Sequence, residues 1–245
     1  MIRRFILIFG FFLAAPSAHA QIAGLESLLP PGDGAVSGRI IQLVVLLTVL
    51  SLAPGLLIMV TSFTRFVIAF SILRSGMGLQ STPANLVLIS LSLFMTFYVM
   101  SPAVDQAWST GVQPLMNNQI TQQVAVERIS SPFRDFMARN VRDKDYDLFA
   151  DLARERGDTN LARDTVDLRV LVPAFMISEI RRGFEIGFLI VLPFLVIDLI
   201  VATITMAMGM MMLPPTVISL PFKIMFFVLI DGWNLLVGSL VRSFN

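Results

Sequence analysis

The chain has 245 residues, of which 56% are hydrophobic and only 14% charged, with a formal net charge of +1. Soluble domains carry about 25% charged residues, so this is a membrane composition, and the balanced charge excludes a bulk field that would gather nucleic acid. Cysteine is absent and His19 is the only histidine, which removes disulfides, thiolate metal sites and Cys–His chemistry, and points to no metal and no cofactor.

The opening residues Arg3 and Arg4, the apolar run Phe5–Ala15 and the A-x-A pattern Ala18-His19-Ala20 predict a signal peptide over 1–20, cleaved after Ala20. Cleavage would also remove the one histidine and with it Ser–His catalysis. Residues 21–39 are rich in Gly, Pro and Ser and read as an exposed segment. Residues 40–100 form a first hydrophobic helical part: Ile40 to Met59, interrupted by Pro54; Val60 to Leu73 with Arg65, Arg74 following; and Pro83 to Met100, where Pro102 is predicted to stop the helix.

Residues 101–182 differ in kind. They hold 23 of the 35 charged side chains, 12 acids and 11 bases, and show helical patterning without strand alternation. Ser131-Pro132 reads as a helix start, with Phe133, Phe136 and Met137 on one face. Asp145 reads as the cap of a second helix, with Leu148, Phe149, Leu152 and Ala153 as its apolar stripe and Gly157 as its stop. Residues 158–168 read as a polar loop, and Val170 to Phe184 returns to helix. Residues 183–245 form a second hydrophobic hairpin, with segments Gly187–Met208 and Pro221–Val241 and a tip over 209–221. Four segments reach the roughly 20 residues that cross a bilayer. A cleaved leader places the new N-terminus outside. Arg65 and Arg74, read as loop charges, then place that loop in the cytoplasm and the 101–182 region in the periplasm.

Asp198 and Asp231 stand in apolar segments, where an Asp costs about 2.5–3.5 kcal/mol on insertion scales. Counted from the tip, both lie ten residues in, so the hairpin should bring them level. Three readings are open: a carboxylate dyad of an intramembrane protease, a proton-relay carboxylate of a coupled transporter or channel, and a structural anion paired with Lys223, an Arg or backbone. The third is favoured, since I-D-L and I-D-G-W carry nothing else a protease requires. Ser219 and Lys223 are four apart, as a Ser–Lys nucleophile pair would be, but Leu-Pro-Phe intervenes. Lys223 reads more simply as a cation at the cytoplasmic edge. Glu185 lies within Gly183-x-x-x-Gly187, a spacing that lets helices approach closely. The stretch Met206-Ala-Met208-Gly209-Met210-Met211-Met212-Leu-Pro214-Pro215 has Met at five of its first seven positions and ends where a helix cannot continue. Conformable thioethers on such a turn suit a closure that must part around varied polypeptides.

Several long motifs resemble the FliP family of flagellar type III secretion export-gate proteins and, more distantly, the SctR-type subunit of injectisomes. They are M-V-T-S-F-T-R-F-V-I from Met59, S-L-F-M-T-F-Y-V-M-S-P ending at Pro102, S-P-F-R-D-F-M ending at Met137 and L-V-P-A-F-M-I-S-E-I around Pro173. I-G-F-L-I-V-L-P-F-L-V-I-D-L around Asp198, G-M-M-M-L-P-P, I-S-L-P-F-K and V-L-I-D-G-W-N-L-L complete the set. The resemblance implies an all-α fold of membrane-associated helical hairpins with a helical periplasmic insertion. It implies assembly as a homo-oligomeric, pentameric ring with FliQ and FliR subunits and contact with an FlhB-like switch subunit, in the inner membrane within the flagellar basal body. Unfolded flagellar proteins would pass through the ring, with Met210, Met211 and Met212 as a pore gasket and no catalysis by the chain. The ring is implied to sit high, at periplasmic level, so that helices bury against neighbours. Glu185 departs from the family's usual Gln, and Ala84 departs mildly from the residues usual before Asn85.

Overall fold

The computed structural model describes residues 36–157, 167–209 and 214–244. The predicted signal peptide, its Ala20 cleavage site, most of the 21–39 segment and most of the 158–168 loop lie outside them. Among the described residues every regular element is helical. The all-α expectation therefore holds.

The chain divides into two units, residues 1–52 and 53–245. The described part of the first is the opening of helix α1 (Val36–Met59), an apolar rod whose Ile41, Val44, Leu47 and Leu50 are exposed. The second unit holds the rest. After α1 comes α2 (Phe63–Gly76), then α3 (Asn85–Ala107), which passes through a π-helical turn at Trp108–Val112 into α4 (Gln113–Met116). Helices α5 (Gln122–Asn140) and α6 (Asp143–Glu155) make up the polar region. The 40-residue α7 (Leu168–Ala207) is followed by α8 (Pro215–Leu229) and α9 (Gly232–Arg242).

Prolines that read as helix boundaries lie inside helices. Pro102 does not stop α3, and Pro132 lies inside α5 and does not start it. Each proline removes one backbone donor and crowds the carbonyl four residues back, a cost of about 3 kcal/mol that tertiary packing can offset. Around them Met100, Ala103, Phe136 and Met137 are buried in one cluster. The true cap of α5 is Thr121, whose hydroxyl accepts from the Val124 N–H at 3.5 Å. Asp145 is not the cap of α6 either. Arg142 holds that position, and the Asp145 carboxylate accepts from the Ser178 hydroxyl at 2.7 Å, tying α6 to α7. The buried face of α6 is consequently Tyr146, Phe149, Ala150 and Ala153, while Leu148 and Leu152 are exposed. Gly157 does terminate that helix, at φ +93°, a conformation glycine takes without steric cost.

The segments read as Val170–Phe184 and Gly187–Met208 are one helix. Neither Gly183 nor Gly187 breaks α7, because each is packed by a side chain of α2. The 182/183 edge between polar and hydrophobic parts falls in mid-helix. Conversely, the last apolar segment is two helices, bent by 63° at Ile230–Asp231. Among the described residues two helices, Asn85–Met116 and Leu168–Ala207, are long and apolar enough to cross a membrane, or up to four if two bent pairs each count as one span.

Two apolar clusters share the second unit. One joins α2, α3, α7, α8 and α9 through Phe66, Phe70, Leu73, Leu88, Phe194, Phe227, Leu236 and Leu240. The other joins α3, α5, α6 and α7 through Met100, Phe136, Tyr146, Leu171 and Phe175. Fully burying one Leu or Phe contributes about 1.5–3 kcal/mol. Yet only 22% of the most apolar window of each long helix is buried within the chain.

Candidate functional site

The seam between α2 and α7 is built on residues four apart. Ile68 lies over Gly183 and Ile72 over Gly187; a Cβ on either glycine would meet them at 3.0–3.1 Å. At the far end the roles reverse, and a Cβ on Gly76 would meet Val191 at 2.3 Å. Ridges of one helix thus fill glycine gaps in the other. The G-x-x-x-G spacing has a partner inside the chain. Glu185, between those glycines, points away from the seam and pairs with Arg181 on the exposed surface at 2.8 Å.

Each end of this seam carries a buried charge. Near the start of α2, Arg65 is 0% exposed and faces Glu179 of α7, also 0% exposed. Its Nε donates to Glu179 Oε2 at 2.9 Å and its Nη2 to Glu179 Oε1, a bidentate pair. Arg65, expected as a loop charge that orients the chain, is instead a buried residue of α2 and marks no cytoplasmic loop. The partner is 114 residues away, and the only available signal was an arginine among Phe63, Phe66 and Val67 in an apolar helix.

At the other end, Lys223 of α8 donates to Asp198 of α7 at 2.6 Å and to the Gly76 carbonyl at the end of α2 at 3.1 Å. The Ser219 hydroxyl donates to the second Asp198 oxygen at 2.5 Å. The end of a helix carries partial negative charge, so an ammonium there serves the Gly76 carbonyl and Asp198 together. Lys223 is 3% exposed and is not a snorkelling edge charge. Ser219 and Lys223 do share a face, since α8 continues through Pro221, but Lys223 is engaged as a donor on two acceptors and is no free amine for proton abstraction.

Asp198 and Asp231 are not level. The hairpin resumes at Pro215, not Pro221, so Ser219 and Lys223 lie opposite Asp198, and Asp231 is eight residues, about 12 Å, further along. Asp231 sits exposed at the α8–α9 corner with φ +52° and accepts from Asn234 at 3.1 Å. No carboxylate dyad forms from these two residues. Gly232 makes the corner possible, since a Cβ there would meet the Phe227 ring at 2.2 Å.

The hairpin tip is described only at its edges. Helix α7 ends at Ala207, with Met206 and Met208 about 60% exposed and Gly209 at φ +75°. Pro214 and Pro215 open α8, where a missing N–H costs nothing. Met210, Met211 and Met212 lie outside the described residues. Among the described residues no cluster of three or more metal-binding side chains occurs.

Uncovered apolar rods whose few internal charges are neutralised in pairs define an all-α membrane protein. The FliP family model matches residues 46–240. The flagellar biosynthetic protein FliP of Agrobacterium fabrum is 69% identical over 243 residues, covering 99% of both chains. That of Rhizobium meliloti is 67% identical over 244 residues, covering 98% of this chain and all of the relative. That of Bacillus subtilis is 48% identical over 204 residues, covering 83% of this chain and 91% of the relative. The chain belongs to the FliP family.

Proposed function

We propose that the chain is a core subunit of the flagellar type III protein export gate, forming with copies of itself the pore through which unfolded flagellar proteins leave the cell. The observation that carries this reading is the mismatch between apolar length and burial. The two long helices bury only 22% of their most apolar windows within the chain, while the charges among them are already paired internally. A chain solved this way has its remaining apolar faces free for neighbours, and a family of flagellar biosynthetic proteins supplies the context.

In this reading the subunit forms a pentameric ring with FliQ and FliR subunits and meets an FlhB-like switch subunit. It resides in the bacterial inner membrane within the basal body, with residues 101–182 on the periplasmic side. It carries out no catalysis. Met210, Met211 and Met212 act as the gasket, flanked by Met206, Met208, Gly209, Pro214 and Pro215. Support for the gasket is the position of the methionines between the end of α7 and the start of α8. Replacing the three methionines with Ala tests it: the complex should assemble but leak ions or small solutes. Unchanged permeability in a correctly assembled variant would refute the gasket.

A further inference from the structure

Arg65 has more partners than Glu179. With Nε and Nη2 on that carboxylate, its Nη1 donates to the Ser243 carbonyl at 2.9 Å and the Ser243 hydroxyl at 2.7 Å. The Phe244 ring lies over the guanidinium carbon, 3.5 Å from the ring centroid. Both residues follow α9 in the chain, 178 positions beyond Arg65 in the case of Ser243. Phe244 also packs on Phe66 and on Phe136, at 5.8 Å between centroids in each case. It is thereby in contact with both apolar clusters, one through α2 and the other through α5.

A guanidinium that is 0% exposed has no water to replace lost partners. Without residues 243–244, its Nη1 loses both acceptors and one face of the group is uncovered. The cation–ring contact is strongest when desolvated, so seating the ring and excluding water favour each other.

We infer that Ser243 and Phe244 form a latch: their seating on Arg65 holds the Arg65–Glu179 pair dry and locks the start of α2 to α7 and to the polar-region helices. With the latch displaced, water reaches the pair and that end of the seam opens locally while the remaining packing persists.

The native absence of cysteine permits a direct test in membranes from cells making the full chain. Ser62, immediately before α2, is fully buried and its hydroxyl meets no hydrogen-bond partner, so Ser62→Cys costs no bond. Ala125→Cys is the control: Ala125 is 1% exposed and packs near Gly111, outside both clusters. Labelling by a small membrane-permeant maleimide is followed in each, with and without Phe244→Ala. The expected result is labelling of Ser62→Cys about tenfold faster in the Phe244→Ala background, equivalent to about 1.4 kcal/mol in the opening equilibrium, with Ala125→Cys unchanged. Phe244→Tyr, which keeps the aromatic face, should restore protection. Equal protection of Ser62→Cys in both backgrounds would overturn the latch. Parallel exposure of both reporters would overturn it too, by making Phe244 an ordinary core residue whose loss unfolds the chain.

Discussion

Replacing Glu179 with Ala should strand the Arg65 guanidinium. Both side chains are wholly buried and joined by two parallel charge-assisted bonds, so the loss is that of one member of a dry ion pair, about 3–5 kcal/mol. Typical stabilities of 5–15 kcal/mol make this a third or more of the total for many proteins. The Ser243 and Phe244 contacts remain but cannot neutralise the charge. Protease resistance and steady-state amount in membranes report the effect: Glu179→Ala should be cleaved readily and accumulate poorly. The double variant Arg65→Met/Glu179→Leu, which removes both charges and keeps apolar volume, should recover most of the loss. A Glu179→Ala chain as resistant as the parent would refute the reasoning. So would a double variant no better than the single one, because the penalty would then not come from an unpaired charge.

Further outcomes follow from the seam and the α8–α9 corner. Lys223→Ala leaves Asp198, itself partly exposed, with Ser219 alone and should destabilise by about 1–3 kcal/mol, less than the wholly buried Arg65–Glu179 pair, measured as loss of assembled complex; Lys223→Arg should retain part of it. Asp198→Asn discriminates the transporter reading, since a relay carboxylate predicts an assembled but uncoupled complex, whereas the paired anion predicts impaired assembly. Gly76→Ala forces a Cβ against Val191 and should cost about 1–3 kcal/mol in thermal unfolding of the solubilised complex, with Val191→Ala in the same chain relieving it. Gly232→Ala should disturb the α8–α9 corner more, because the obstructing atoms belong to the Phe227 ring, itself packed edge-on to Trp233 at 5.4 Å.

The helical class and the apolar hairpins were legible because composition and run length suffice for them. The turn after Ala207 was legible because Pro214 and Pro215 cannot extend α7. Helical spacing puts Phe136 and Met137 in the core, where they lie, but it also puts Leu148 and Leu152 on the apolar stripe of α6, and these are exposed, since the face α6 buries is chosen by Ser178 and Phe175 of another helix. Pro102 and Pro132 read as boundaries because local chemistry says so, and packing overrides it. The need for Asp198 to find a cation followed from the cost of its charge. The pairing of Arg65 with Glu179 was hidden, since two charges 114 residues apart, one in an apolar helix and one at the edge of a polar region, share no local pattern. Asp198 and Asp231 are not level for a narrower reason: Pro221 reads locally as a helix start, but the helix begins at Pro215.

The most direct measurement is the mass and image of the complex purified through this chain. A closed ring of several copies with other small hydrophobic subunits, the Met206–Pro215 turns meeting at its axis, is the result expected. A lone monomer with those turns apart and individually wetted would contradict the export-gate reading.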